Sequence, residues 1–195
     1  MTAGSGLVHS ETSSAAFKTR GGPLEILQLW VNLPARLKMT APRYVGLQQA
    51  QIPQLSAAGG NAGIALVAGS WDDRRGPIDA LTDIAVMTIA LEAGARLSVP
   101  VKASRNVFFY VVRGSVQVNG REAKLKHLVE FSPADAARES SFENIDIACD
   151  RDALILFGHA TPYREPVVSH GLFVMNTHEE IEVAIADYRA GKFTG

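Results

Sequence analysis

His9 and Glu11 are the residues of this chain whose types and spacing best suit metal chemistry. Two side chains that lie two positions apart on a strand point to the same side of it. A neutral imidazole and a carboxylate that face one cavity can bind a non-haem iron or a similar divalent ion. Three or four protein ligands are usual, so two side chains alone would hold the ion weakly. The pair therefore predicts either one part of a metal site or an ordinary stretch of exposed chain.

The other histidines do not form a group with metal-ligand spacing, since none lies within four residues of the next. His159 and His170 flank residues 161–169 and could face inward. Neither is predicted as a ligand, because histidine is also an ordinary polar residue. His178 falls in the first turn of a predicted helix, where we expect it to face solvent.

The positions of serine, cysteine and glycine argue against covalent catalysis and nucleotide binding. The chain contains no G-x-S-x-G elbow, and Cys149 lies between a predicted strand and a turn, which predicts a packed thiol. Gly59, Gly60 and Gly63 precede a strand. A phosphate-binding loop instead follows a strand and opens a helix.

Length and composition predict one globular domain, or one domain with an additional fragment. The chain has 195 residues, of which 47% are hydrophobic and 20% charged, and its formal net charge is −1. This near-neutral balance argues against nucleic-acid binding through charge alone. The first residues do not resemble a secretory signal, and no apolar run approaches the roughly 18 residues that cross a bilayer. We therefore expect a cytoplasmic protein that binds neither nucleic acid directly nor a membrane.

Two groups of charged residues are predicted to lie on the surface. Asp72 and Asp73 precede two arginines and form a solvated loop tip. Arg36, Lys38 and Arg43 form a basic group on a connecting segment. This group could contact an acidic partner, but scattered surface charge is the simpler interpretation.

Residues 24–33 alternate with period two and place Leu27, Leu29, Val31 and Leu33 on one face, which predicts a strand. A helical turn or two is predicted over residues 35–40, and a connector follows as far as residue 60.

Short β segments follow the connector, and helical segments between them are absent. This pattern favours an antiparallel sandwich or jelly roll over an alternating α/β fold. Thr177 and Glu180 fit a capping box that begins a final helix, and Gly191 ends it. The predicted strands are residues 64–71, 84–91, 107–112, 116–118, 128–131 and 153–157.

Several stretches resemble the pirin family, whose members consist of two cupin β-barrels. Residues 28–44, QLWVNLPARLKMTAPRY, resemble the family's signature, and residues 164–191 resemble its C-terminal region. GPIDALTDIAVMTIALEAG and NVFFYVVRGSVQVNG fit the second cupin, and AGSGLVHSE resembles the end of the first cupin's metal motif.

The resemblance implies an all-β fold: a cupin-type jelly-roll barrel (a double-stranded β-helix) with a connector helix, a C-terminal helix and remnant strands of a first cupin. The predicted domains are residues 1–35 for the remnant, 36–60 for the connector, 61–175 for the second cupin, and 176–195 for the helix and tail. Because the run beginning MTAG is internal in relatives, we expect this chain to begin partway into a pirin.

The resemblance also implies one iron, or a related divalent metal, bound by three histidines and one glutamate in the first barrel. His9 and Glu11 match the third and fourth ligands, and the first two match no residue of this chain. The second barrel has LSVPV at residues 97–101, where cupins carry paired histidines, and no histidine at residues 132–138. We therefore expect an incomplete metal site, or no metal, in this chain.

Some bacterial pirins are quercetin 2,3-dioxygenases, which join a flavonol to dioxygen and open its heterocycle with loss of carbon monoxide. The resemblance implies a metal-dependent dioxygenase of this type with a flavonol-like substrate, impaired because half of the metal site is missing. The alternative is a non-catalytic module for protein interaction or for transcriptional or metabolic regulation, since the mammalian pirin is regarded as a transcription co-regulator. Because the strand edges of the remnant are unpaired, we expect the remnant to pack on the second barrel, to pair with another copy as a homodimer, or to fray.

Overall fold

The computed structural model describes residues 1–131 and 141–193, and the chain forms two compact units. The barrel unit is Gly46–Pro162. The terminal unit combines Met1–Val45 with Tyr163–Gly195.

Two antiparallel sheets make up most of the barrel unit. The larger has six described strands in the order β1-β2-β5-β12-β7-β10, and the smaller has four in the order β6-β11-β8-β9. β3 and β4 form a separate hairpin, and two short 3-10 turns cover Gln49–Gln51 and Ala58–Gly60. The strands are β1 (Gln54–Ala57), β2 (Ala62–Ala68), β3 (Ser70–Trp71), β4 (Arg74–Arg75), β5 (Ala85–Leu91), β6 (Arg96–Lys102), β7 (Asn106–Arg113), β8 (Val116–Val118), β9 (Arg121–Ala123), β10 (Leu128–Phe131), β11 (Phe142–Ala148) and β12 (Ala153–Ala160).

Alternation of buried and exposed residues places the core between the two sheets. Along β6, Leu97, Val99 and Val101 are buried while their neighbours in the strand are exposed. They share one hydrophobic core with Phe109 and Phe157, which are fully enclosed. Each buried side chain of this size contributes on the order of 1.5–3 kcal/mol. The predicted all-β jelly roll is confirmed.

The strand β6 is absent from the strands that the sequence pattern predicts, because Pro100 interrupts its apolar alternation. Proline lacks the N–H that a ladder needs and is confined to edge strands, first residues and bulges. β6 lies at the edge of the smaller sheet, where Pro100 is opposite Asn144 on β11. The edge position therefore explains how a strand forms around this proline.

The terminal unit contains three short helices and a hairpin among its described residues. The helix α2 agrees with the predicted helical turn after Pro34. No helix in the described part of the chain is long and apolar enough to cross a membrane. The elements are α1 (Ala15–Arg20), α2 (Ala35–Lys38), β13 (Val168–His170), β14 (Phe173–Met175) and α3 (His178–Arg189).

The last helix, α3, begins and ends as the sequence predicts. The Thr177 hydroxyl accepts the N–H of Glu180 at 3.2 Å, and the Glu180 carboxylate accepts the N–H of Thr177 at 3.1 Å. At the other end Gly191 has a φ of +69°, and its N–H donates to the Tyr188 carbonyl at 3.0 Å. The capping box and the glycine terminator are confirmed.

The strand predicted over residues 24–33 does not form. This segment has no regular secondary structure and belongs to no ladder among the described residues. Leu27, Leu29 and Val31, which the alternation places on a buried face, are all exposed. An alternating segment becomes a strand only when a neighbour accepts its backbone hydrogen bonds, and no described segment does so. The prediction of a strand here was wrong.

Candidate functional site

His9 and Glu11 lie in an exposed stretch of the terminal unit without regular secondary structure. The chain before them is fixed, since Thr2 and Arg43 exchange two backbone hydrogen bonds of 2.7 and 3.0 Å. The chain after them enters α1, whose N-cap Ser14 accepts a hydrogen bond from a backbone N–H in the first turn. The two candidate ligands are therefore exposed residues between two anchored segments.

These two residues do not by themselves fit the four-ligand centre that the family resemblance implies. Among residues 1–131 and 141–193, no group of three or more histidine, cysteine, aspartate or glutamate side chains is placed to hold a metal ion. Imidazole and carboxylate are suitable donors for iron, but two of them leave a coordination sphere incomplete. We therefore derive no catalytic step through a metal, and the assignment of His9 and Glu11 as ligands stays a prediction.

The interior of the barrel unit holds apolar side chains at the β6 positions where the family resemblance leads one to look for paired histidines. Leu97, Val99 and Val101 are 6%, 3% and 3% exposed, and each packs into the hydrophobic core. None of the three has a nitrogen or oxygen in its side chain that could bind an ion. The second predicted motif position, residues 132–138, lies outside the described residues.

His159 belongs to a polar cluster at the end of β12, within the barrel unit. The Arg105 Nε donates to His159 Nδ1 at 2.7 Å, and Arg105 Nη1 lies 2.5 Å from Asp83 Oδ2. Thr161 completes the cluster, because its hydroxyl donates to Asp83 Oδ2 at 2.6 Å. The Arg105 side chain is only 11% exposed, so these bonds are largely shielded from water on the arginine side.

The hydrogen bond from Arg105 fixes the protonation of the His159 ring. An Nδ1 atom that accepts a hydrogen bond must carry a lone pair, so the neutral ring has its proton on Nε2. Burial and the positive charge of Arg105 lower the pKa of His159 from 6.5 to about 4, against a smaller opposing effect of Asp83. A metal-binding histidine instead donates its second N–H to an acceptor. His159 is therefore neutral near pH 7, and its Nδ1 accepts a hydrogen bond that holds the Arg105 side chain in place. This role does not suit a metal ligand.

Asp83 is the anionic member of the same cluster. Burial by itself raises the pKa of Asp83, but hydrogen bonds from Thr161 and the charge of Arg105 outweigh burial and lower it. The cluster thus combines a carboxylate, a guanidinium and a neutral imidazole, and it connects residues far apart in the chain.

Three further sequence interpretations concern Cys149, the acidic loop tip and His178. Cys149 is buried, and its Sγ donates to the Glu92 carbonyl at 3.1 Å. Burial raises the pKa of its thiol, as expected for a packed and unreactive cysteine. Asp72 and Asp73 form the exposed turn between β3 and β4. His178 is exposed in the first turn of α3, and all three interpretations are confirmed.

Lys38 contradicts the interpretation of the basic group as scattered surface charge. Lys38 is only 6% exposed, whereas Arg36 on the same helix is exposed. Its Nζ donates to Asn32 Oδ1 at 2.6 Å and to the Val174 carbonyl at 3.3 Å. Burial lowers the pKa of Lys38, while the carboxylates of Glu165 and Glu180 oppose that effect. A buried ammonium needs such partners, so this lysine is an internal connection of the terminal unit.

Glu165 extends the connection around Lys38. Its Oε2 accepts the N–H of Ala35 at the start of α2 at 2.7 Å, and the side-chain amide of Asn176 at 3.2 Å. The Asn176 amide also donates to the Pro166 carbonyl at 2.9 Å. A carboxylate at the first turn of a helix stabilises the free N–H groups there. Residues from both sequence segments of the terminal unit are thereby joined in one polar network.

Comparison with known proteins identifies the family of this chain. Residues 86–194 match the pirin C-terminal cupin domain. A predicted quercetin 2,3-dioxygenase of Pseudomonas aeruginosa is 33% identical over 99% of this chain and 65% of its own length. Mouse pirin is 34% identical over 98% of this chain and 63% of its own length. The chain belongs to the pirin family.

This chain is also similar in fold to a solved structure. Quercetin 2,3-dioxygenase from Acinetobacter baumannii is similar with a TM-score of 0.75 and 27% identity, over 84% of this chain and 55% of that one. This chain therefore spans about two thirds of the length of the curated relatives named above, and little more than half of this solved structure.

The pirin signature at residues 28–44 includes both Asn32 and Lys38, which the structure joins by a hydrogen bond. Sequence reasoning missed this role, because one of the two acceptors of Lys38, the Val174 carbonyl, lies 136 residues away in the chain. The Arg105–His159 bond could not have been found from spacing, since 54 residues separate its partners.

Proposed function

We propose that this pirin-family chain carries part of a metal-dependent oxidoreductase site of the quercetin 2,3-dioxygenase type, with His9 and Glu11 as metal ligands. The observation that carries the proposal is its similarity, over nearly the whole chain, to a predicted quercetin 2,3-dioxygenase, supported by the TM-score of 0.75 to a solved one. The exposure of His9 and Glu11 leaves both residues accessible to an ion and to further donors.

The barrel unit would act as a scaffold that binds no metal at β6. Its β6 positions are filled by packed valine and leucine, so the barrel offers no donors there. The substrate proposed from the family is a flavonol-like aromatic molecule, and the metal is iron or a related divalent ion. Because His9 and Glu11 supply only two donors, activity of these 195 residues alone would be impaired.

Metal titration combined with a turnover assay tests this proposal. We expect Fe²⁺ or Ni²⁺ to bind weakly, with a dissociation constant at least about tenfold above that of a site with three or four ligands. His9→Gln should abolish the binding, whereas His170→Gln, which alters an exposed histidine of the same unit, should leave it unchanged. Slow, metal-dependent loss of quercetin absorbance that His9→Gln removes would support the dioxygenase assignment. Metal binding that is unaffected by His9→Gln would refute the ligand assignment.

A non-catalytic interaction module is the second candidate, favoured by the run of exposed apolar residues 24–31. Co-purification from cell extract tests this alternative, with a Trp30→Lys variant as the control. A specific protein that is recovered with the unaltered chain and lost with the variant would support it. Recovery of no specific protein by either chain would count against it.

A further inference from the structure

Three aromatic rings of the terminal unit form one cluster, in which Phe193 is the member that follows α3 in the chain. The Phe193 ring centroid lies 5.7 Å from that of Tyr188 and 6.2 Å from that of Phe173. The Phe173 and Tyr188 centroids are 6.2 Å apart, and all three pairs meet edge to face, as the charge distribution of aromatic rings favours. Because Tyr188 lies on α3 and Phe173 on β14, two elements hold the Phe193 ring in place.

The Phe193 ring lies directly against the backbone of Gly6. A Cβ atom added to Gly6 would be 2.6 Å from both Cγ and Cε1 of Phe193, much closer than side-chain carbons pack. Gly6 also has a φ of +130°, which glycine adopts readily and other residues rarely. The glycine therefore lets the ring reach the main chain, and the contact joins the two sequence segments of the terminal unit.

The same stretch of chain is also held by Thr40. The Ser5 N–H donates to the Thr40 carbonyl at 2.9 Å. A Cβ atom added to Gly4, whose φ is +52°, would overlap that carbonyl oxygen, so the backbone is in close contact here as well. Thr40 and Phe193 thus anchor consecutive residues, Ser5 and Gly6.

His9 and Glu11 lie close enough to these anchors to depend on them. His9 follows Gly6 by three residues, and three residues of extended chain span at most about 11 Å. Both candidate ligands are exposed and outside regular secondary structure, so no helix or strand of their own sets their position. The anchored residues on each side, Gly6 before them and the α1 N-cap Ser14 after them, therefore determine where they lie.

We propose that Phe193 is a positioning residue, which through its contact with Gly6 orders the chain that leads into His9 and Glu11. Glycine has more conformational freedom in a free chain than any other residue, so Gly6 needs an external contact to hold one conformation. The Phe193 ring supplies that contact. The value of this order for metal binding rests on the function proposed above, whereas the contact and its effect on the chain do not.

Amide hydrogen exchange of the whole chain, followed by NMR without added metal, tests the proposal. The N–H groups of Ser5 and Gly6 are both hydrogen-bonded to backbone carbonyls, so their exchange reports local opening of this segment. Phe193→Ala should accelerate the exchange of both amides at least about tenfold. The Ile181 N–H, in the first turn of α3, is also hydrogen-bonded and should change less than about threefold.

Matched variants separate the ring contact from general destabilisation of the unit. Phe193→Tyr keeps the ring and should hold the exchange rates within about threefold of those of the unaltered chain. Leu172→Ala shortens a side chain that is 80% exposed in the same unit, and it should change them less than about twofold. The ¹H–¹⁵N NOE of the His9 amide, which reports order on the picosecond to nanosecond timescale, should fall in Phe193→Ala and stay unchanged in the other two variants.

Two further measurements keep the test decisive if Phe193→Ala fails to fold. In the unaltered chain, NOEs should join the Phe193 ring protons to the Gly6 Hα protons. Phe193→Leu, which keeps most of the apolar volume, should still accelerate the Ser5 and Gly6 amides at least about threefold.

Absence of the Phe193–Gly6 NOEs would overturn the proposal. Unchanged exchange of the Ser5 and Gly6 amides in the folded variant would also overturn it, as would equal acceleration at Ile181. Because none of these measurements contains a metal, failure of His9 to bind one would refute the proposed function and leave this inference intact.

Discussion

Acidification should destabilise the barrel unit through His159. The folded protein holds the pKa of His159 at about 4, below the value of 6.5 that the exposed ring has in the unfolded chain. Between these two values the unfolded state binds more protons than the folded state does. Stability therefore falls as the pH is lowered from about 7 toward 4, and the contribution is fully present only above about pH 7.

The magnitude follows from the two pKa values. For a change from pH 7.5 to pH 5.0, a single group with these pKa values removes about 2 kcal/mol of unfolding free energy. This loss corresponds to a decrease in melting temperature of about 4–8 °C for a protein of this size. The physical causes are, first, that burial disfavours the charged ring and, second, that protonation of Nδ1 places another cation against Arg105 and removes the acceptor of its Nε–H.

Urea unfolding at the two pH values measures this effect, followed by fluorescence in a Trp30→Phe background so that Trp71 of the barrel unit is the reporter. His159→Asn is the matched variant, because its amide oxygen is attached to Cγ as Nδ1 is and can accept from Arg105, but does not titrate. The variant should lose about 2 kcal/mol less than the unaltered chain does over the same pH interval, while the exposed histidines affect both proteins equally. Equal pH dependence of the two proteins would refute the assignment of His159 as a neutral hydrogen-bond acceptor for Arg105.

Three other predictions concern stability and can be measured by urea unfolding at pH 7.5. Lys38→Met should lower the free energy of unfolding by about 2–3 kcal/mol, because the Asn32 and Val174 oxygens lose their donor. Arg36→Met, at an exposed position of α2, is the control and should lower it by less than about 0.5 kcal/mol. Thr177→Ala should cost about 1 kcal/mol through loss of the N-cap, and Thr177→Ser should retain most of that stability. Gly69→Ala should lower the free energy of unfolding by about 2–3 kcal/mol, because Gly69 has a φ of +81° and an added Cβ would lie 2.6 Å from the Ala85 Cα. Gly63→Ala is the control and should be tolerated, because the space around Gly63 is open. A control that loses as much stability as its partner would contradict the explanation given for that site.

The sequence predicts elements whose signals are local. The capping box of α3 is set by Thr177 and Glu180, three residues apart, and its end is set by Gly191. The strands with uninterrupted apolar patterns are found for the same reason. The strand β6 was not predicted, because Pro100 makes its sequence less typical of a strand. Its position at the edge of the smaller sheet depends on pairing with β11, which the local sequence does not reveal.

Tertiary contacts decide the features that sequence reasoning missed. The alternation of residues 24–33 is clear, yet a strand also needs a partner, and the described chain provides none. Lys38 has the composition of a surface residue, but Asn32 and the Val174 carbonyl stabilise it inside the terminal unit. His159 has no candidate ligand near it in sequence, and its role depends on Arg105, which folding brings from the turn between β6 and β7.

The central proposal is that His9 and Glu11 are the metal ligands of this chain, and that the apolar β6 positions of the barrel unit bind no metal. Paramagnetic broadening of amide NMR signals by added Mn²⁺ tests this claim most directly, because it locates the ion without requiring tight binding or activity. The account predicts broadening centred on the amides around His9 and Glu11, lost in His9→Gln, with the β6 amides of Leu97, Val99 and Val101 unaffected. Broadening centred on β6, or unchanged by His9→Gln, would contradict it.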